Sequence, residues 1–190
     1  MKTRQALRWA AMLVPMLTLV VILAGCLISE IDEYFIRLND DGKSGIITVI
    51  KRNIQSDQTE VAKQREDFDE LVRDWRGDSY LLEKTEQGVY VKDRQLWVEK
   101  GKLTWKEISV FSDFRRLFHD VIRNDTVRLV FGKDEIILDT NGDVVQTRDS
   151  TIVMWPMKTR EFVLKVQKKN FPQTSDFASK FRELTKKKKK

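Results

Sequence analysis

The chain of 190 residues contains one cysteine, Cys26, and one histidine, His119. A single thiol closes no disulfide within the chain, so the fold must stand on its core. One imidazole is too few for a histidine metal site. A nucleophile–histidine–acid triad is equally short of parts, since no G-x-S-x-G elbow accompanies His119. "LDTNGDV" (138–144) alternates Asp139, Asn141 and Asp143. Its glycine falls fourth rather than sixth, and Ser150 stands where a calcium loop needs glutamate, so the stretch reads as a turn. Arg76-Gly77-Asp78 reads as a helix stop. No fixed-period repeat is visible. These absences argue against an enzyme, and no catalytic residue, metal ligand or cofactor is expected.

Acidic residues are missing before Glu30, whereas Lys2, Arg4 and Arg8 come early. Setting those three aside leaves 32 basic against 29 acidic residues. Setting aside the five lysines 186–190 as well leaves 27 against 29. The basic excess therefore belongs to the two ends and the body is near neutral, which argues against a nucleic-acid partner.

Behind the basic residues, Trp9 to Ile28 is apolar apart from Pro15, Thr18 and Gly25. A basic start, an apolar stretch and small residues at its end are the parts of an export signal. The basic side stays cytoplasmic, and Glu30, Asp32 and Glu33 follow on the far side. The run closes on "LAGC" (23–26), which resembles the lipobox of bacterial lipoprotein precursors. The resemblance implies that residues 1–25 are a signal peptide recognised through Leu23, Ala24 and Gly25. It also implies that Cys26 becomes the lipidated N-terminus. Two other readings stay open: an uncleaved helix from Trp9 to Ile28, at about 20 residues long enough to span a bilayer, and an ordinary secretory signal.

With lipid on Cys26 the protein's first partner is the membrane, since each buried methylene adds about 0.8 kcal/mol to anchoring. The expected location is the cell envelope, on the extracytoplasmic side. Leu27 is not aspartate, which in a diderm using that sorting rule permits the periplasmic face of the outer membrane. The opening "CLISEIDEYFIRLNDDGKSGIITV" (26–49) is also similar to LppM-type lipoprotein domains. That similarity implies contact with envelope glycolipid.

"EYFIRL" (33–38) and "IITVIKRNI" (46–54), rich in β-branched and aromatic residues, flank the turn-forming "NDDGKSG" and predict a hairpin. Residues 57–75 predict a helix, capped at Ser56 or Asp57, with Val61, Phe68, Leu71, Val72 and Trp75 on one stripe and Gly77 as its stop. Strands follow at 88–91, 95–99 and 102–110. Phe114, Leu117, Phe118, Val121 and Ile122 show the spacing of a second amphipathic helix, opened by Ser112. A meander of five strands is expected between 126 and 166, with Gly132 and Asn141-Gly142 turning its first three. Short connections force antiparallel pairing. The expected fold class is α+β, an antiparallel sheet of about six to nine strands with two amphipathic helices on one face. One extracytoplasmic domain should span 26–168. A tail, 169–190, would carry a short helix near 176–185 and the oligolysine end.

Two functions are open on these grounds. The first is a non-catalytic binding or structural protein of the envelope, with an envelope protein or lipid as partner. The second is a carrier or sensor of an apolar ligand held between sheet and helices, lined by Trp75, Trp97, Trp105 and Trp155. The end of the chain adds a candidate membrane contact through Phe177, Phe181, Leu184 and the lysines from Lys186 to Lys190.

Overall fold

The computed structural model describes residues 27–186. The expected export signal with Leu23, Ala24 and Gly25, the expected lipidation site Cys26, and Lys190 lie outside the described residues. The fold is α+β, built on a six-stranded antiparallel sheet.

The chain enters through a two-residue strand, β1 (Leu27–Ile28), and the predicted hairpin, β2 (Ile31–Leu38) and β3 (Gly45–Arg52). In the turn, Asp41 accepts hydrogen bonds from the Lys43 and Ser44 backbone N–H groups at 2.8 and 3.0 Å. Gly42 takes the left-handed φ of +63° that the turn needs. β4 (Gln55–Ser56) then pairs with β1. This pairing displaces the predicted helix start, because residues 55–56 are extended and Ser56 bonds to Asp67 instead of capping. The helix α1 therefore runs from Val61 to Arg76, with Phe68 and Leu71 buried and Val61 exposed.

Gly77 ends α1 as expected, and a helix the sequence pattern did not suggest follows at once: α2 (Asp78–Glu86). Its buried residues are Tyr80 and Lys84, so it lacks an apolar stripe to betray it. Next, β5 (Val89–Glu99) is one strand where two were expected, its continuity interrupted by a bulge between Val91 and Asp93. β6 (Lys102–Phe111) returns along it.

The second predicted helix is the main correction. Only one turn forms, α3 (Phe114–Leu117), capped by Asp113 rather than Ser112. A 3-10 turn at His119–Val121 follows, and Ile122–Arg123 becomes strand β7. Ile122 is claimed by a tight hairpin: it pairs with Val127 of β8 (Thr126–Phe131) across Asn124 and Asp125, both at positive φ.

The expected meander is present as strands but not as neighbours. After β8 come β9 (Glu135–Thr140), β10 (Asp143–Gln146), β11 (Thr151–Pro156) and β12 (Glu161–Lys168). β9 and β12 join the large sheet, in the order β5-β6-β3-β2-β12-β9. β10, β11, β8 and β7 form a second, four-stranded sheet in that order. The chain thus changes sheet at each connection from β8 to β10 and again between β11 and β12. Asn141 fastens one such corner, with its side-chain oxygen accepting from the Trp155 indole N–H at 2.8 Å and from the Val163 N–H at 2.9 Å.

Alternation along the large sheet separates two faces. Four helices among the described residues, where two were expected on the sheet and a third in the tail, and the second sheet pack on its inner face. Toward the β5–β6 edge, Ile54, Phe68, Leu71, Tyr80, Leu96, Leu103 and Trp105 form one core. Toward the other edge, the two sheets enclose a second core.

The last helix, α4 (Phe177–Lys186), belongs to the first core. Phe177 packs edge-on to Phe68 with ring centroids 5.2 Å apart, and Phe181 to Trp75 at 5.4 Å. Its approach is held by Gln55, whose side-chain oxygen accepts the Thr174 N–H at 2.8 Å, and by Gln64, which donates to the Thr174 carbonyl at 2.9 Å. Residues expected to trail as a tail beyond 168 are therefore part of the domain up to Lys186.

Ion pairs cluster on the outer face. Glu33 accepts from Arg52 at 2.6 Å and Lys165 at 3.2 Å, and Glu30 binds Lys102 at 2.5 Å. Burial acts against the Glu33 carboxylate, but Arg52 and Lys165 outweigh it and hold its pKa below the usual value. The hydrogen bond from Lys102 does the same for Glu30. A carboxylate with a depressed folded-state pKa stabilises the fold above its unfolded pKa of about 4.3, and that stability drains as pH falls through the folded value. The melting temperature should therefore fall on acidification below about pH 4.3, and the fall should be shallower in Glu33→Gln. An unaltered slope in that variant would remove Glu33 from the account.

Candidate ligand cavity

The second core is not filled. Between the two sheets lies a cavity of about 530 Å³. Pockets of roughly 300–1,000 Å³ are the size that holds a small organic ligand. The large sheet supplies Tyr34, Ile36, Ile47, Phe162, Leu164 and Val166, and the small sheet Val127, Leu129, Phe131 and Trp155. Phe114, Leu117 and Phe118 close one end. There Phe114 stacks on Phe118 with centroids 4.5 Å apart and on Phe162 at 5.1 Å.

The lining is graded along the strands. At the end where β2 finishes and β3 begins it is mainly aliphatic and aromatic, with Arg116 of α3 beside the phenylalanines. At the opposite end, where β2 starts and β3 finishes, the wall carries Ser29, Asp32, Lys51, Glu135 and Lys168. Asp32 and Lys51 are cross-strand partners, as are Glu135 and Lys168. Lys51 lies four residue steps along β3 from Ile47, about 13 Å at strand spacing. Leu27 also lines the cavity, so the first described residue, next to Cys26, touches it. His119 and Asp120 form a further part of the rim, their side chains paired at 2.8 Å and largely solvent-exposed.

Lys51 is the unusual member. It is only 8% exposed, yet it forms no hydrogen bond or ion pair among the described residues. Burial pushes its ammonium pKa down, with Asp32 and Glu107 opposing and Lys168 and Lys84 reinforcing. The carboxylates near it hydrogen-bond to other groups. Asp32 accepts from the Ser29 hydroxyl, and buried Glu107 accepts from the Tyr80 hydroxyl at 2.6 Å and from Ser109 at 2.8 Å. Tyr34, diagonal to Lys51 across the β2–β3 pair, likewise has a hydroxyl without a partner among the described residues. Burial pushes that phenol well above its usual pKa, with Asp32 and Glu135 adding to the effect, so it remains a neutral donor.

The four tryptophans proposed as a lining do not come together. Trp155 alone lines the cavity. Trp75 and Trp105 belong to the other core, where Trp105 is fully buried with its indole N–H unpartnered among the described residues. Trp97 is half-buried, on the outer face opposite Thr104. The cavity therefore lies between two sheets, with α3 at one end, and not between the large sheet and the long helices, because β8 and β11 form a layer of their own. Phe177 and Phe181 are likewise buried and Leu184 packs beside them, which leaves α4 no apolar face for lipid. Lys186 is exposed.

One signal for the true lining was readable. In "GIITVIKR" the inward positions are Gly45, Ile47, Val49 and Lys51, which puts a lysine where alternation demands an apolar residue. The remaining lining needs the pairing of β8 with β11, which no local pattern encodes.

Among the described residues no group of three or more His, Cys, Asp and Glu is placed to hold a metal ion, and no helix is long and apolar enough to cross a membrane. Comparison of the chain with family models, curated proteins and solved structures found no match.

Proposed function

We propose that this protein is an envelope lipoprotein, tethered through lipid on Cys26, that carries or senses one apolar ligand in the cavity between its sheets. The observation that supports a carrier most is the cavity itself, an apolar space of about 530 Å³ within a folded core. Interiors are ordinarily packed to crystal-like density, with few voids larger than a water molecule. An apolar space of this size lowers stability unless something occupies it. The tether rests on the lipobox resemblance, and it fits a domain whose first strand begins at Leu27, immediately after Cys26.

The test is extraction of the native protein in mild conditions, with mass spectrometry of the polypeptide and of co-purifying lipid. A lipid-modified Cys26 and about one small apolar molecule per chain are expected. In Leu129→Trp, which fills the cavity from β8, the small molecule should be lost while folding persists. Native protein without a co-purifying molecule, or a variant that retains it, refutes the carrier.

A second reading, a protein-binding scaffold, is favoured by the outer face of the large sheet. Phe35 and Tyr90 stand there 40% and 46% exposed. Co-purification of a protein and no lipid would select it.

A further inference from the structure

We infer that the cavity takes a single-chain amphiphile with an anionic head, the chain lying toward Phe114 and the head held by the Lys51 ammonium. This rests on the carrier reading above and specifies its ligand.

Three features carry it. The cavity is graded, with Phe114 and Phe118 closing one end, beside Arg116, His119 and Asp120, and Asp32, Lys51, Glu135 and Lys168 on the wall at the other. At the charged end Lys51 is nine-tenths buried and faces the cavity with no partner among the described residues. Asp32 and Glu107 attract it electrostatically but hydrogen-bond to hydroxyl groups and not to it, and Lys168 and Lys84 add positive charge of their own. A buried ammonium is tolerated when an anion pairs with it, and ionised partners make the strongest hydrogen bonds. Tyr34 offers a second free donor one diagonal step away, about 7–8 Å between backbones. A carboxylate or phosphate placed between them accepts from both, while its chain follows Ile47, Ile36 and Phe162 inward.

A neutral ligand would leave Lys51 unmatched, and a cationic one would oppose it. A carboxylate head and a phosphate head share the required chemistry, so fatty acids and single-chain phospholipids are the two sources.

The test uses the full chain, kept soluble in an amphipathic polymer and freed of bound lipid, with the neutral fluorophore N-phenylnaphthylamine as cavity reporter. Dodecanoate, dodecyl phosphate and dodecanol then compete for it. Whichever anion is the ligand should displace the reporter at a concentration lower than dodecanol by about tenfold or more, the scale of one hydrogen bond to a charge. In Lys51→Met the anion's advantage should collapse to within about twofold, with reporter and dodecanol affinities unchanged. Lys51→Gln serves where the methionine variant does not fold.

If the reporter fails to bind the parent protein, the carrier reading itself falls. If it binds but both anions compete no better than dodecanol, or either variant keeps the full advantage, the cavity is a carrier site without this head-group preference.

Discussion

A chain ended at Lys168 is expected to lose its cooperative thermal transition. The segment removed looks dispensable in sequence, being a polar linker, one short helix and a run of lysines. In the structure it contributes Phe177 and Phe181, 1% and 6% exposed, to the core that α1 and α2 share with β5 and β6. Loss of a buried phenylalanine side chain costs about 3–5 kcal/mol, and a whole domain is stable by about 5–15 kcal/mol. Two such losses, with Phe68 and Trp75 newly wetted, consume most or all of that margin. Ending the chain at Lys186 removes none of these contacts and should leave the melting temperature nearly unchanged. The pair of truncations separates the helix from the lysines. Retention of a sharp transition in the chain ended at Lys168 would show that α4 is not integral to the core.

The second large effect belongs to Phe114. It is fully buried at the closed end of the cavity, stacked between Phe118 and Phe162. Phe114→Ala should cost about 3–5 kcal/mol, at the upper end because the site already borders a void and has little with which to collapse. The same substitution lengthens the cavity, so a longer alkyl chain should bind the variant better than a short one, and should recover part of the lost stability. Denaturant titration with and without tetradecanol reads both quantities. A destabilised variant that no long chain rescues would place Phe114 in the core but not at the end of a ligand channel.

Much of the strand content was legible because local chemistry determines it. "NDDGKSG" makes its turn through Asp41 and Gly42, and alternation in "EYFIRL" and "IITVIKR" places one face inward. What was not legible depends on distant partners. Phe114 to Ile122 has a good helical spacing, yet Asn124-Asp125 and Val127 draw Ile122 into a hairpin, and pairing overrides periodicity. The α2 helix buries a tyrosine and a lysine, so no apolar stripe announces it. The cavity needs β8 and β11 to stand opposite β2, β3 and β12, a consequence of strands changing layers that no stretch of sequence states. Hence tryptophan count misled. Trp75 and Trp105 fill the other core, and a lysine out of register in β3 was the better guide.

The repeated changes of sheet after β8 bear on how the cavity opens. Four covalent crossings stitch the two walls together, one from β6 to β7 through α3 and three after β8, and the Asn141 side chain adds hydrogen bonds at one of the later corners. Halves tied so often cannot swing apart like a clamshell without breaking backbone pairing on both sides. For the proposed ligand, the expected route of exchange is fluctuation of the β6–β7 crossing, which holds only one helical turn and a 3-10 turn at the end of the cavity.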